Sequence, residues 1–138
     1  MDKKRYTHLM VNGFTKKLPQ DESVINPWLY NLIEAINLEI KEIHIKPVMD
    51  PIYFYTDKDK TKTLTSTAII ETGYVALSIE IEEEEDDAYI HLDMFLSSPL
   101  PTALVLESIE NSFGMYDGSY MLLDRANDYK VLDFRSYP

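Results

Sequence analysis

The sequence predicts an α+β fold in which two helices pack on one face of an antiparallel sheet. Apolar and polar residues alternate from Tyr74 to Glu82 and again from Ala88 to Leu96, which is typical of strands with one buried face. The acidic run Glu83–Asp87 between them predicts a solvated turn, because like charges resist burial. Trp28–Ile36 and Val105–Phe113 carry apolar residues at helical spacing. The order β-α-β-β-β-α-β therefore favours a two-layer sandwich.

The first two elements are a strand and a helix. Tyr6–Gly13 alternates in polarity, which predicts a strand. One face of this strand carries Thr7, Leu9 and Val11, and the other carries Tyr6, His8 and Met10. Asn26 and Pro27 predict the start of the helix, because Asn caps free N–H groups and Pro suits the first helical position. We expect this helix to end near Asn37.

The middle of the chain predicts strands before the central hairpin. Ile40–Ile45 alternates as a second strand, and Ala68–Ile70 forms a short apolar run rich in β-branched residues. Pro47 and Pro51 interrupt regular pairing because each lacks a backbone donor. The aromatic run Ile52–Tyr55 predicts an edge strand; it could stack on an adenine ring, although packing is the commoner use.

The C-terminal third predicts a helix and two strands. Ser98–Thr102 contains two prolines and turns the chain. The second helix follows, with Gly114 as its C-terminal cap. Ser119–Leu123 and Tyr129–Phe134 predict the last two strands.

Composition limits the classes of function. We expect residues 1–138 to form one domain with its own core. The 13 Lys and Arg against 24 Asp and Glu give a net charge of −11. This charge argues against nucleic acid as a partner, because a phosphate backbone is repelled by it. It could attract cationic partners, or it could only keep the protein in solution. The chain has no cysteine, which excludes disulfides and thiolate chemistry. No apolar run reaches the ~18 residues of a membrane span, so we expect no membrane partner and a cytoplasmic location.

Several polar groups have both a functional and a structural interpretation. His91 and Asp93 share a strand face and, with Glu80 or Glu82, could bind a metal, but a solvent-facing strand gives the same pattern and is favoured. We expect His8 and His44 to be satisfied structural histidines, because neither has an obvious carboxylate or nucleophile at short range. The acidic run Glu82–Asp87 could bind a polyamine or calcium; without a glycine or ligand spacing, a solvated turn is favoured. We therefore expect no metal.

The central stretch resembles a known family. IIETGYVALSIE at Ile69–Glu80, followed by YIHLDMFLSSP at Tyr89–Pro99, is similar to the core of the prokaryotic S-adenosylmethionine decarboxylases, which make a pyruvoyl cofactor from an internal serine. LLDR at Leu122–Arg125 and the first strand extend the similarity. The resemblance implies the layered fold of those decarboxylases, a link to spermidine biosynthesis, and dimers in which the sheets of two protomers associate.

The departures from the family pattern concern its catalytic positions. The resemblance places Gly73 at the serine that becomes pyruvoyl, and Gly73 has no nucleophile. Thr72 is one residue early and would give a 2-oxobutyryl group. Tyr74 and Ser78 stand at the two histidines, and Ser97 stands at the cysteine. Because hydroxyls do not titrate near neutral pH, we expect no decarboxylation, no cofactor and no catalytic residue.

The sequence thus predicts a decarboxylase-like protein that has lost catalysis. The residues expected at its relic pocket are Glu71, Thr72, Gly73, Tyr74, Ser78, Asp93 and Ser97. It would act as a regulatory subunit, or it would bind S-adenosylmethionine or a polyamine. We expect it to form a homodimer or to pair with an active paralogue. Two alternatives stay open: an enzyme with new chemistry that uses His91, Asp93 or Tyr74, and a structural protein that only forms oligomers.

Overall fold

The computed structural model describes residues 6–16, 22–40, 48–56, 61–70, 73–82, 86–96, 101–125 and 130–136. These residues form one antiparallel sheet and two helices, which confirms the predicted α+β class. The elements are β1 (Thr7–Thr15), α1 (Glu22–Ile40), β2 (Val48–Thr56), β3 (Thr61–Ile70), β4 (Gly73–Glu82), β5 (Ala88–Leu96), α2 (Thr102–Phe113), β6 (Met115–Asp124) and β7 (Lys130–Ser136).

The sheet has the strand order β2-β3-β4-β5-β1-β6-β7, and every neighbouring pair is antiparallel. Most neighbours are joined directly along the chain. The exception is β1, which inserts between β5 and β6 and therefore pairs with strands that follow it by about 70 residues or more. This insertion brings the N-terminal strand next to the C-terminal third of the protein.

The core lies between the helices and one face of the sheet. Alternate strand residues such as Leu9, Leu77 and Leu92 are buried there against Leu29 and Ile109 of the helices. The ring of Trp28, the one tryptophan of the chain, lies 5.0 Å from that of Phe113 and fixes α1 against α2. We call the opposite side of the sheet the open face; it carries the other set of alternating residues, which are half-buried or exposed.

Helix α1 begins earlier than the sequence predicts. It starts at Glu22, so Pro27 lies inside the helix and the predicted start at Asn26 is wrong. Instead of capping the helix, the Asn26 side chain accepts a hydrogen bond of 2.6 Å from the buried hydroxyl of Ser66 on β3. The helix also runs past Asn37 to Ile40, so the strand expected from Ile40 does not begin there. Residues 41–45 lie outside the described residues.

The other elements are helices or strands as predicted, and some of them differ from the prediction in where they begin or end. Strand β3 covers Thr61–Ile70 instead of the short apolar run, because its threonines alternate with inward-facing residues and suit a pleated strand. Strand β2 is an edge strand, as predicted. The interruption expected at Pro51 is wrong, because Pro51 pairs with Ser66 within an unbroken register, and proline within sheets is found mainly in edge strands. Helix α2 ends as predicted: Gly114 has a φ of 61°, and its N–H donates to the carbonyl of Glu110 at 2.9 Å.

A β-bulge interrupts the pairing of β1 with β6. Asn12 pairs with Ser119 and Phe14 with Tyr116, so one residue of β1 stands opposite two of β6. Asp117, within the bulge, has a φ of 46°, which is uncommon for a residue with a β-carbon. Regular alternation would place Tyr116 on the same side as the buried Tyr120. The extra residue turns Tyr116 onto the open face.

Neither helix in the described part of the chain is long and apolar enough to cross a membrane. The cytoplasmic location stays a prediction.

Candidate functional site

A group of polar and aromatic side chains meets on the open face where β1 begins and β5 ends. We call it the His8 cluster; its members are Tyr6, His8, Tyr74, Asp93, Phe95 and Arg125. The strand register brings it together, because Phe95 pairs with His8 on one side and with Tyr74 on the other. Arg125 arrives from the end of β6, where its backbone N–H donates to the carbonyl of Tyr6 at 2.7 Å.

His8 lies at the centre of a hydrogen-bonded chain. Its Nε2 contacts Oδ1 of Asp93, and Nη1 of Arg125 lies 3.4 Å from its Nδ1. A guanidinium group can only donate, so Nδ1 accepts and Nε2 carries the proton that Asp93 accepts. This tautomer satisfies both contacts. The chain therefore runs from Arg125 through His8 to Asp93.

Tyr74 is a second hydrogen-bond donor to the Asp93 carboxylate. Its hydroxyl lies 3.4 Å from Oδ1 of Asp93. Burial, followed by the charge and the hydrogen bond of Asp93, raises the pKa of Tyr74 above its ordinary value of 10.0. The phenol thus stays protonated at neutral pH and serves as a donor rather than as a base.

Phe95 provides the aromatic centre of the cluster. Tyr6 and Tyr74 are stacked on it, with ring centroids 6.0 and 6.1 Å away and interplanar angles of 12° and 23°. The guanidinium carbon of Arg125 lies 5.3 Å from the centroid of the Phe95 ring, a cation–π distance. The cluster therefore presents aromatic surface, one carboxylate and one guanidinium group within a small area.

Four members of the predicted relic pocket, Gly73, Tyr74, Ser78 and Asp93, belong to the described residues. Tyr74 and Asp93 are in contact, as described above. Ser78 lies on the same open face but opposite His91, and its hydroxyl is 2.9 Å from that of Thr65. Gly73 begins β4 opposite Leu96. Glu71, Thr72 and Ser97 lie outside the described residues.

Gly73 has a steric reason to be glycine. A β-carbon built on its backbone would lie 1.8 Å from the carbonyl oxygen of Phe95. This oxygen belongs to the neighbouring strand and is not a flexible side chain, so any larger residue requires the strands to shift. A serine, the nucleophile that the resemblance would require here, does not fit this backbone.

The sequence interpretation missed His8. The sequence shows no carboxylate at short range from His8, whereas its direct partner, Asp93, lies 85 positions away in the chain. Alternation already placed His8 on the face opposite Leu9 and Val11. What the sequence does not reveal is that β1 pairs with β5.

The residues that the sequence analysis weighed as metal ligands are not grouped as a metal site in the described part of the chain. His91 stands opposite Asn12 and Ser78 in the sheet. Among the described residues no three His, Asp or Glu side chains are grouped so that they could hold a metal ion. His44 lies outside the described residues.

No model of a protein family and no curated protein matches this chain.

Proposed function

We propose that this chain is an S-adenosylmethionine decarboxylase-like protein without decarboxylase activity, which binds S-adenosylmethionine at the His8 cluster and acts as a regulatory subunit. The observation that carries the proposal is the combination of Asp93, Arg125 and the stacked Phe95 in one place. The resemblance around Gly73 and Asp93 supports the family fold and the regulatory role. Pairing, as a homodimer or with an active paralogue, belongs to the same proposal.

The chemistry of the cluster suits a zwitterion that carries an aromatic base. Asp93 offers a carboxylate to an ammonium or sulfonium group, and the guanidinium of Arg125 offers donors to a carboxylate. The rings of Tyr6, Tyr74 and Phe95 offer flat surface to an adenine ring. S-adenosylmethionine carries an ammonium group, a sulfonium group, a carboxylate and an adenine ring.

Two observations support the absence of decarboxylation. Gly73 has no side chain from which a pyruvoyl group could form, and the backbone of Phe95 leaves no room for one. Tyr74, at the position of a family histidine, has a raised pKa and so does not exchange protons at neutral pH.

The His8–Asp93 contact favours a second candidate, an enzyme with altered chemistry. A carboxylate that orients an imidazole is a common way to prepare a general base. In this protein, however, the lone pair that a base requires points to Arg125. Catalysis would require Arg125 to move away, so binding is the simpler function of the same residues.

Thermal unfolding with and without S-adenosylmethionine tests the proposal. A ligand present at one hundred times its Kd stabilises the folded protein by about 2.7 kcal/mol, enough to raise Tm by several degrees. We expect this shift in the wild type and in Glu110→Gln, an exposed control on α2, and a much smaller shift in Asp93→Asn. The absence of a shift in the wild type would contradict the proposal.

A further inference from the structure

The two edges of the sheet differ in how well they accept a further strand. Among the described strands, β2 and β7 each have one neighbour. Pro51 lies in the middle of β2, and a proline in an edge strand turns the side without an N–H toward solvent, which opposes the addition of a strand. Strand β7 reads KVLDFRS and contains neither proline nor glycine. Its outer side can therefore offer backbone donors and acceptors to a partner.

The side of β7 that continues the open face is apolar. Val131 pairs with Leu123 and Phe134 pairs with Met121, so both side chains lie beside half-buried apolar residues of β6. Val131 and Phe134 are 51% and 56% exposed. Leu132, the extra residue of a bulge between them, is 42% exposed. Exposed apolar surface concentrated on one short strand is typical of a site of interaction with another protein.

The opposite side of β7 carries the charged residues Lys130, Asp133 and Arg135. Asp133 is already engaged within the molecule, because the hydroxyl of Tyr120 donates to it at 2.8 Å and Nε of Arg135 lies 3.5 Å from its Oδ1. The side chain of Arg135 is still 73% exposed, and a guanidinium group has five N–H donors. Two basic side chains against one carboxylate give β7 a net charge of +1, whereas the whole chain has −11.

We propose that β7 binds an extended segment of a partner protein in which apolar and acidic residues alternate. Such a segment would add a strand to the sheet through main-chain hydrogen bonds. Its apolar side chains would contact Val131 and Phe134, and its carboxylates would contact Lys130 and Arg135 across the new strand pair. The inference goes beyond the proposed function, because β6 separates β7 from β1, the strand that carries His8.

A second copy of this chain fits the same edge less well than an acidic partner does. Its β7 would bring further basic side chains toward Lys130 and Arg135, and its Asp133 is engaged within its own subunit. A lysine and a bulge in an edge strand also discourage pairing with an uncharged strand. The charges of β7 therefore favour a partner segment that carries carboxylates.

Fluorescence polarisation with a labelled peptide as long as β7, in which valine and glutamate alternate, tests the proposal in about 150 mM NaCl, which screens non-specific attraction. We expect saturable binding to the full chain. Arg135→Glu should weaken binding about tenfold, because it replaces one attraction with one repulsion. Phe134→Ser should weaken it about fivefold, because part of the ring is buried in the complex. Two controls on β3, Ile69→Ser at the same 56% exposure and Lys62→Glu, should leave the affinity unchanged.

Two further peptides separate strand addition from simple charge attraction. A peptide with lysine in place of glutamate should bind about tenfold more weakly, and one with an N-methylated backbone should not bind, because it has no N–H donors for the ladder.

The proposal would be overturned by the absence of binding to the valine–glutamate peptide, by equal binding of either altered peptide, or by equal weakening in the β3 controls. Sedimentation velocity adds a further test: a dimer that dissociates in Phe134→Ser would assign the edge to a second copy. The S-adenosylmethionine shift should be the same in Arg135→Glu as in the wild type. Failure of the β7 edge and failure of the S-adenosylmethionine site are therefore separate outcomes.

Discussion

His8 and Asp93 lie 85 positions apart in the chain and are in direct hydrogen-bond contact across the β1–β5 ladder. Their side chains are 12% and 29% exposed, so the pair is partly shielded from water. The contact places a residue of the first strand beside the stretch that resembles the decarboxylases. It is the connection around which the other members of the His8 cluster are arranged.

The His8–Asp93 contact should appear as an energetic coupling. In a double-mutant cycle of His8→Ala and Asp93→Asn, we expect a coupling of about 0.5–2 kcal/mol, because residues in one hydrogen-bond network are not additive. Urea unfolding followed by Trp28 fluorescence measures it. His8→Ala combined with Glu110→Gln on α2 should be additive. A cycle that closes with zero coupling would show that the contact contributes no stability.

Gly73→Ala should destabilise the protein more than Gly114→Ala. At Gly73 the new β-carbon meets the Phe95 carbonyl oxygen at 1.8 Å, whereas at Gly114 nothing lies within 4 Å and only the left-handed φ opposes it. We expect a loss of about 2–4 kcal/mol for the first and about 1 kcal/mol for the second. Equal losses in urea unfolding would mean that the strands can move apart at Gly73.

The Tyr120–Asp133 hydrogen bond should make stability depend on pH at both extremes. The Tyr120 hydroxyl donates to Oδ2 of Asp133 at 2.8 Å. Burial and this bond raise the pKa of Tyr120 above 10.0, and the same bond is the main cause that lowers the pKa of Asp133 below 3.8. The raised pKa gives stability that is present below pH 10.0 and lost as pH rises through the folded value. The lowered pKa gives stability that is present above pH 3.8 and lost as pH falls through the folded value.

Tyr120→Phe removes this bond and serves as the comparison. The difference in unfolding free energy between wild type and Tyr120→Phe should be largest between roughly pH 5 and 9 and shrink on both sides. Urea titrations from about pH 3 to about pH 11 measure it. A difference that stays constant over this range would argue against the bond.

The bulge at Asp117 predicts opposite effects of two substitutions. Asp117→Gly removes the β-carbon from a left-handed conformation and should be neutral or stabilise by up to about 1 kcal/mol. Asp117→Val adds a branched β-carbon and should destabilise by about 1–2 kcal/mol. Chemical denaturation of the two variants measures the difference, and the reverse order would mean that β6 has no bulge in solution.

The sequence predicts much of the architecture because alternation and capping are local signals. Strands β4 and β5, the helix that ends at Gly114 and the face on which His8 lies all follow from residues a few positions apart. Helix α1 is an instructive failure: Asn26 has the properties of a cap, but its side chain bonds to Ser66 on β3 instead. A tertiary contact thus overrides the local preference.

The candidate site is predicted less well because long-range pairing creates it. The resemblance pointed to Tyr74 and Asp93, which do meet, but His8 joins them only through the pairing of β1 with β5. Tyr116 lies on the open face only because one extra residue in β6 reverses the alternation. Neither the pairing of β1 with β5 nor the extra residue in β6 can be recognised from a local sequence pattern.

The most direct test of the central claim is a binding titration with carboxyl-labelled S-adenosylmethionine that follows both bound label and released carbon dioxide. The proposed function predicts saturable binding of the label, no release of carbon dioxide, and loss of binding in Asp93→Asn. Release of carbon dioxide would show that decarboxylation persists, and an absence of bound label would show that the His8 cluster does not recognise this ligand.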